Sequence, residues 1–451
     1  MIEFNKIEYA CHTDVGVRRS HNQDSHAVLL ATDIEHWREI GHVFLVADGM
    51  GGHAVGELAS KIAVDNIPHL FSKYVGQDGT IPAILRSFTE ANATIYNRGK
   101  QNREFLGMGT TGTALILRPD GAWVGHVGDS RVYRVRGGVI EQLSFDHSFL
   151  WEIARQKGKA PEEIIGIPAN RILRSLGPEG KVDVDIEGPH PLGPGDVFLI
   201  CSDGLTGQVN DRVIGSVLTA LAPKEAVQFL VHFANLQGGP DNTTVIVVRT
   251  GGEPSLTGGD NELDVVFRSN ESTQPITPRF SMLMHRLSRL PWAFILLTAG
   301  ILWAGVAIYL TTVHMGLAMS SFFLAGLSLL SGIGTLMIQH IREMRKLSEK
   351  PAERVLQIYR QLPCPLDQGT LERLEATTKS LEANIKEKGW ELDTKKHLEH
   401  AKLAAAFAKQ GKMRDAFREQ CRAMLVLMET VHRHRGKNED FKPVWDEPAA
   451  G

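Results

Sequence analysis

The sequence has few cysteines and no excess of positive charge. Its four cysteines are spread over 451 residues without a Cys-x-x-Cys pair, which argues against a zinc knuckle or a disulfide framework and fits a reducing compartment. Lys and Arg total 49 against 52 Asp and Glu, a net charge of −3, so nucleic acid is not an expected partner. The first residues lack the apolar core of a signal peptide, so the first part of the chain is expected to stay in the cytoplasm.

Charge is also missing from one long stretch, because no Lys, Arg, Asp or Glu occurs between Pro291 and Ile341. Segments 292–313 and 316–338 are each near the ~20 residues that span a bilayer core. They predict a two-helix transmembrane hairpin over 291–340. Basic residues flank it on both sides, so the positive-inside rule predicts a multi-pass protein of the cell membrane with both flanking domains in the cytoplasm.

The composition divides the rest of the chain. The predicted parts are a catalytic domain at 1–250, a flexible linker rich in Gly, Ser, Thr and Pro at 251–290, an all-α domain at 341–436 and a tail at 437–451. Helical patterns occur at 351–362, 370–388, 394–409 and 413–433, and the last pair resembles a single tetratricopeptide unit. An apolar stripe from Met413 to Val431 predicts a packed core, with a groove or dimer contact for a protein partner as the alternative.

Three aspartates stand beside apolar strand-like runs and tight turns. Asp48 ends the run in VFLVADGMGGH, Asp203 ends the run in DVFLICSDG, and Asp241 precedes the run in GGPDNTTVIVV. Each alone is typical of an Asp-Gly turn. Together they predict one oxygen-rich cation site.

Carboxylates with the Gly49 carbonyl suit magnesium or manganese, whereas zinc prefers His and Cys. Two such cations sharing Asp48 could lower the pKa of a bridging water and bind phosphoryl oxygens, which is hydrolytic chemistry. Arg19, shortly before Asp24, could clamp a phosphate through two hydrogen bonds. It could equally be a surface arginine.

Residues 1–250 resemble the metal-dependent protein serine/threonine phosphatases of type 2C in their bacterial form. The matching motifs occur in the family's order: TDVGVRRSHNQD, VADGMGGHAVGELAS, MGTTGTALI, HVGDSRVYR, FDHS, CSDGL and GGPDNTTVIV. The resemblance implies an α+β fold, a four-layer αββα sandwich with the metals at one end. It also implies hydrolysis of phosphoserine and phosphothreonine in phosphoproteins.

The resemblance further implies roles for single residues. Asp48 would bridge two Mg²⁺ or Mn²⁺ ions, with the Gly49 carbonyl on one and Asp203 and Asp241 on the other. Asp24 would act through water and Asp129 could hold a third cation. Arg19 matches the family's phosphate-binding arginine.

The sequence leaves several alternatives open. The phosphatase fold could be an inactive binding module that tethers a partner through the C-terminal helices, although no metal aspartate is lost. A related sub-branch acts on phosphorylated anti-sigma-factor antagonists, and the sequence does not exclude such a target. The proton for the leaving group could come from a metal-bound water or from His53, and we expect the water.

Overall fold

The computed structural model describes residues 7–51, 54–168, 171–252 and 356–434, together with 301, 302, 306, 308, 309 and 328. Residues 1–268 and 355–451 form one compact unit, and residues 269–354 form a second. The strands of the first unit are β1 Ile7–Asp14, β2 Asp24–Leu29, β3 His42–Met50, β4 Gly109–Thr110, β5 Gly112–Arg118, β6 Gly121–Val127, β7 Arg131–Arg136, β8 Val139–Gln142, β9 Asp185–His190, β10 Val197–Cys201, β11 Thr243–Thr250 and β12 Arg360–Pro363. Its helices are α1 Ile34–Glu39, α2 Ala54–Asp78, α3 Thr80–Gln101, α4 Phe149–Lys157, α5 Asp203–Thr206, α6 Asp211–Ala220, α7 Pro223–Leu236, α8 Gln368–Glu387, α9 Thr394–Lys409 and α10 Met413–His434.

The strands form two antiparallel sheets. The first has the order β1-β11-β10-β7-β8-β12, and the second has the order β2-β3-β5-β6-β9 with β4 beside β3. Successive side chains of a strand point to opposite faces, and both faces of these sheets are covered. In β3, Phe44 and Val46 therefore enter the core between the sheets, while Val43, Leu45 and Ala47 face the helices. Burial on both faces explains why this strand reads as one continuous apolar run.

Helix pairs cover the outer faces of the two sheets. Helices α2 and α3 share an apolar core with the second sheet. Helices α6 and α7 share another with the first sheet. The predicted α+β fold with layered helices and sheets is confirmed.

The C-terminal segment packs on this domain. Its strand β12 pairs with β8, and α8 and α10 share the apolar core of α6 and α7. The stripe on α10 is buried there through Phe417, Cys421, Met424, Met428 and Val431, so the prediction of a packed core is confirmed and the dimer contact is not supported. The helix predicted at 351–362 is wrong where the structure describes it, because residues 360–362 are in a strand.

The predicted transmembrane hairpin needs correction. Nowhere in the described ranges does the structure contain a helix with the length and apolar character needed to cross a membrane. Most of the hairpin at 291–340 lies outside those ranges. The fold assignment with two spans and the multi-pass membrane localisation are therefore not supported.

Candidate metal centre

The predicted carboxylates gather at one end of the sandwich. Asp24 begins β2 and lies directly opposite Asp48 in the pairing of β2 with β3. Directly opposed residues project from the same face of a sheet. Asp48 follows the alternation of Phe44 and Val46, so both carboxylates project between the two sheets.

The first sheet supplies two more carboxylates. Asp203 begins α5 immediately after β10, and Asp241 lies two residues before β11. The Ser202 hydroxyl donates a 2.7 Å hydrogen bond to Asp24 Oδ2 and accepts one of 2.9 Å from the Thr244 amide. These bonds fasten Asp24 of one sheet to the strand ends of the other.

The first turn of α2 and the residue before β2 pack tightly around Gly49. A Cβ atom on Gly49 would lie 2.1 Å from the Gly56 carbonyl oxygen, so no other residue fits. The Gly49 amide donates to the Gln23 carbonyl at 3.1 Å. Close approach of backbones is the physical reason for a glycine beside Asp48.

Asp129 lies in the turn between β6 and β7 and is buried. The turn is braced by His147, whose Nδ1 accepts a 3.0 Å hydrogen bond from the Gly128 amide. Thr111 links this turn to Asp48, because its hydroxyl bonds Ser130 at 2.8 Å and accepts from the Asp48 amide at 2.8 Å. Asp129 and Asp48 are thus held by one polar network.

The carboxylates perturb one another. Burial, with the charges of Asp203 and Asp241, raises the pKa of Asp24 to about 7. Burial and the charges of Asp24, Asp203, Asp129 and Asp241 raise the pKa of Asp48 well above its ordinary value. Burial also raises the pKa of Asp129 and of Asp203, with nearby carboxylates acting in the same direction. Such a set is unfavourable in its charged form unless a cation joins it.

The donor set fits hard divalent cations. Asp24 Oδ1, Asp129 Oδ1 and Asp203 Oδ1 are buried without a hydrogen-bond partner. Nevertheless, within the described ranges no group of three or more His, Cys, Asp or Glu side chains is arranged to hold a metal ion. Magnesium in proteins keeps several waters and uses only one or two carboxylates, so three side chains on one ion are not required.

Arg19 lies at the solvent side of this site. Its Nη2 is 2.8 Å from Asp241 Oδ2, and both side chains are partly exposed. The Arg19 guanidinium therefore lies beside a predicted metal ligand and is open to solvent.

Three residues that hold the site together were not predicted from the sequence, although each lies in one of the family motifs. Thr111 and Ser202 act as described above. Asn242 accepts a bond from the Gln23 amide and donates to the Val15 and His21 carbonyls, so it shapes the loop that carries Arg19. Polar residues next to motif aspartates were the available signal. His53 lies outside the described residues.

The sequence is similar to that of known proteins. A family model described as Protein phosphatase 2C matches residues 16–236. The serine/threonine phosphatase stp of Listeria monocytogenes is 33% identical over 241 residues, which cover 52% of this chain and 93% of that protein. Protein phosphatase PhpP of Streptococcus pneumoniae is 33% identical over 250 residues, 54% of this chain and 97% of that protein.

The chain belongs to the protein phosphatase 2C family. It is a metal-dependent hydrolase that acts on serine/threonine phosphoproteins, and protein phosphatase 2C enzymes use Mn²⁺ or Mg²⁺. Among solved structures, the Mycobacterium tuberculosis serine/threonine phosphatase PstP/Ppp matches with a TM-score of 0.48 and 31% identity, over 55% of this chain and 99% of that one. A structure of the PstP catalytic domain in complex with two manganese ions matches with a TM-score of 0.47 and 30% identity, over 55% and 99%.

Proposed function

We propose that this protein phosphatase 2C enzyme hydrolyses phosphoserine and phosphothreonine at a binuclear Mg²⁺ or Mn²⁺ centre. The observation that carries the proposal is the group of buried carboxylates at the sandwich end, three of which have an oxygen without a partner. Divalent cations bound there supply a low-pKa water and neutralise phosphoryl charge.

The residues of the chain divide the work of holding that centre. Asp48 would bridge the two cations, and its main chain is fixed by Thr111 on both its amide and its carbonyl side. The Gly49 carbonyl would serve one cation, and Asp203 and Asp241 the other. Asp24 would act through water, and Asp129 would hold a third cation.

Arg19 would bind the phosphate of the substrate. In the structure its guanidinium pairs with Asp241, so it is already beside the proposed ligands. A planar guanidinium can hold two phosphate oxygens at once, which orients the ester toward the centre.

The test uses the whole chain with phosphoserine, phosphothreonine and phosphotyrosine peptides, in Mn²⁺ or in excess chelator. We expect turnover of the first two peptides with Mn²⁺ and none in chelator. Asp48→Asn should abolish turnover, because it removes the ligand shared by both cations.

A matched control is Asp65→Asn on α2, which changes an exposed carboxylate paired only with Lys61 in the described contacts. It should retain full activity. Turnover by Asp48→Asn equal to that of Asp65→Asn would contradict the proposed centre. Binding of phosphopeptide without hydrolysis by the unsubstituted chain would instead support a binding module.

A further inference from the structure

The C-terminal strand β12 brings new residues close to the turn that carries Asp129. Arg360 lies opposite Gln142 in the pairing of β12 with β8, and the Tyr359 amide donates to the Gln142 carbonyl at 3.0 Å. Gln142 in turn donates a 2.8 Å hydrogen bond to Asp146 Oδ1. The strand therefore extends the sheet on the side of the FDHS motif.

Arg360 contacts two acidic residues through one nitrogen. Its Nη1 is 3.2 Å from Asp211 Oδ2 and 2.6 Å from Glu162 Oε1. Asp211 is buried at the start of α6, whereas the Glu162 side chain is 58% exposed in the short 3-10 turn Pro161–Glu163. The buried contact is the stronger one, because solvent screens the exposed pair.

Asp211 is also close to Arg131, which follows Asp129 by two residues. Arg131 Nη1 is 3.8 Å from Asp211 Oδ1, and its main partner is Asp146, with Nη2 2.8 Å from Asp146 Oδ2. Asp211 thus lies between two guanidinium groups, Arg131 and Arg360, whereas Asp146 is paired with Arg131. The Tyr133 hydroxyl also donates a 2.9 Å hydrogen bond to Asp211 Oδ1. Without the C-terminal strand, Arg131 would be the one guanidinium of this pair left beside Asp146 and Asp211.

Loss of Arg360 would leave one guanidinium between two buried carboxylates. Charges a few ångströms apart in a poorly solvated site interact strongly, so Arg131 would be drawn from Asp146 toward Asp211. The charges of Asp146 and Arg131 act on Asp129 in opposite directions, Asp146 raising its pKa and Arg131 lowering it. With Arg131 displaced, the negative charge of Asp146 would be less compensated at Asp129, and a cation there would be held differently.

We propose that Arg360 is a positioning residue of the phosphatase, which keeps Arg131 on Asp146 and so sets the charge environment of Asp129. The C-terminal strand is then part of the catalytic apparatus. The inference rests on the proposed cation role of Asp129.

The test compares whole-chain variants by the Kd for Mn²⁺, measured by isothermal titration calorimetry without substrate. The Mn²⁺ concentration that gives half-maximal turnover of a phosphothreonine peptide is measured alongside, with kcat and KM at saturating Mn²⁺. We expect Arg360→Ala to need several-fold more Mn²⁺. Arg360→Lys should need less Mn²⁺ than Arg360→Ala, because an ammonium point charge can still serve Asp211.

The matched control is Arg422→Ala on α10. Arg422 also links the C-terminal helices to the catalytic domain, since its Nε and Nη2 lie 2.7 and 3.1 Å from the two Glu225 carboxylate oxygens. This variant should leave the Mn²⁺ requirement unchanged. A purely structural role for Arg360 would make the two alanine variants alike, which would overturn the proposal.

A double variant tests the charge argument itself. Arg360→Ala with Asp211→Asn should recover a near-normal Mn²⁺ requirement, because Arg131 no longer faces two carboxylates. No recovery would overturn the proposal. Asp129→Ala separates the two hypotheses. If this variant has an unchanged Mn²⁺ requirement, Asp129 does not hold a cation. If Asp129→Ala changes the Mn²⁺ requirement and Arg360→Ala does not, only the positioning role of Arg360 is refuted.

Discussion

Asp24 makes the metal-free protein sensitive to pH. Its pKa, raised by burial and neighbouring carboxylates from 3.8 to about 7, means that the folded state binds a proton that the unfolded chain has released. Between these values the free energy of unfolding falls as pH rises, by up to about 1.4 kcal/mol per pH unit for one group. Asp24→Asn removes this contribution.

We therefore expect Asp24→Asn, in chelator, to gain stability over the unsubstituted chain as pH rises from 4.5 to 7.5, measured by urea unfolding. Added Mn²⁺ should stabilise the unsubstituted chain more than the variant at pH 7.5. A stability difference that does not vary with pH would show that Asp24 ionises normally.

Arg19 offers a kinetic prediction. Arg19→Ala should chiefly raise KM if the guanidinium binds substrate and transition state alike, and should also lower kcat if the contact tightens in the transition state. Steady-state kinetics on a phosphothreonine peptide distinguish the two cases. The neighbouring Arg18→Ala is the control, and equal kinetics for both variants would remove Arg19 from the site.

The sequence predicted the acidic residues of the site but not the polar residues that hold them in place. Asp48, Asp203 and Asp241 stand out because each interrupts or borders an apolar run. Ser202 and Asn242 adjoin two of these aspartates, but their roles were not predictable, because their partners Asp24, Val15 and His21 are distant in sequence and meet them only after the sheets pack.

Helix α6 contains a glycine that accommodates the C-terminal segment. A Cβ on Gly215 would lie 2.8 Å from both Cβ and Sγ of Cys364, which follows β12. Gly215→Ala should therefore destabilise the protein by about 1–3 kcal/mol through overpacking, despite the better helix propensity of alanine. Urea unfolding measures this.

Gly369 in α8 is the matched control, because its added Cβ would meet nothing nearer than Asp367 Oδ1 at 3.7 Å. Gly369→Ala should leave stability unchanged or raise it by up to about 1 kcal/mol. Equal effects at the two positions would mean that Cys364 does not press on α6.

Long periodic helices were predictable, whereas edge strands were not. The helix at 394–409 was predicted with the bounds that the structure has, since its pattern depends only on neighbours along the chain. Strand β12 has four residues and forms because β8 presents an unpaired edge, which is information held elsewhere in the sequence.

The catalytic layers and the C-terminal helices share one apolar core, so they should unfold together. Leu427 on α10 is fully buried in that core. Leu427→Ala should cost about 2–5 kcal/mol and shift the loss of phosphatase activity and of helical circular dichroism to the same lower temperature.

Leu398→Ala on α9 is the matched control, because that leucine is 43% exposed. It should change stability by less than about 0.5 kcal/mol. Activity that survives heating past the helical transition of Leu427→Ala would show two independent folding units.

The organisation of the whole molecule was only partly predictable. Composition separates the linker and the uncharged stretch from the catalytic motifs. The domain boundaries drawn from it, at residues 250, 290 and 340, stay predictions. Composition does not show that the apolar stripe of α10 packs against α6 and α7. Each of these helices, taken by itself, has the pattern of an ordinary half-buried amphipathic helix.

The pairing of β12 with β8 also has a consequence for the newly synthesised chain. Residue 142 is translated long before its partner, residue 360. At ~5–20 residues per second, the roughly 110 residues between β11 and β12 take on the order of 10 s to make. Throughout that interval the nascent polypeptide already contains every proposed metal ligand, yet Asp211 lacks Arg360 and the edge of β8 is without its partner strand. A ribosome that stops early would therefore release a product that has the catalytic motifs but not the buried ion pair between Arg360 and Asp211.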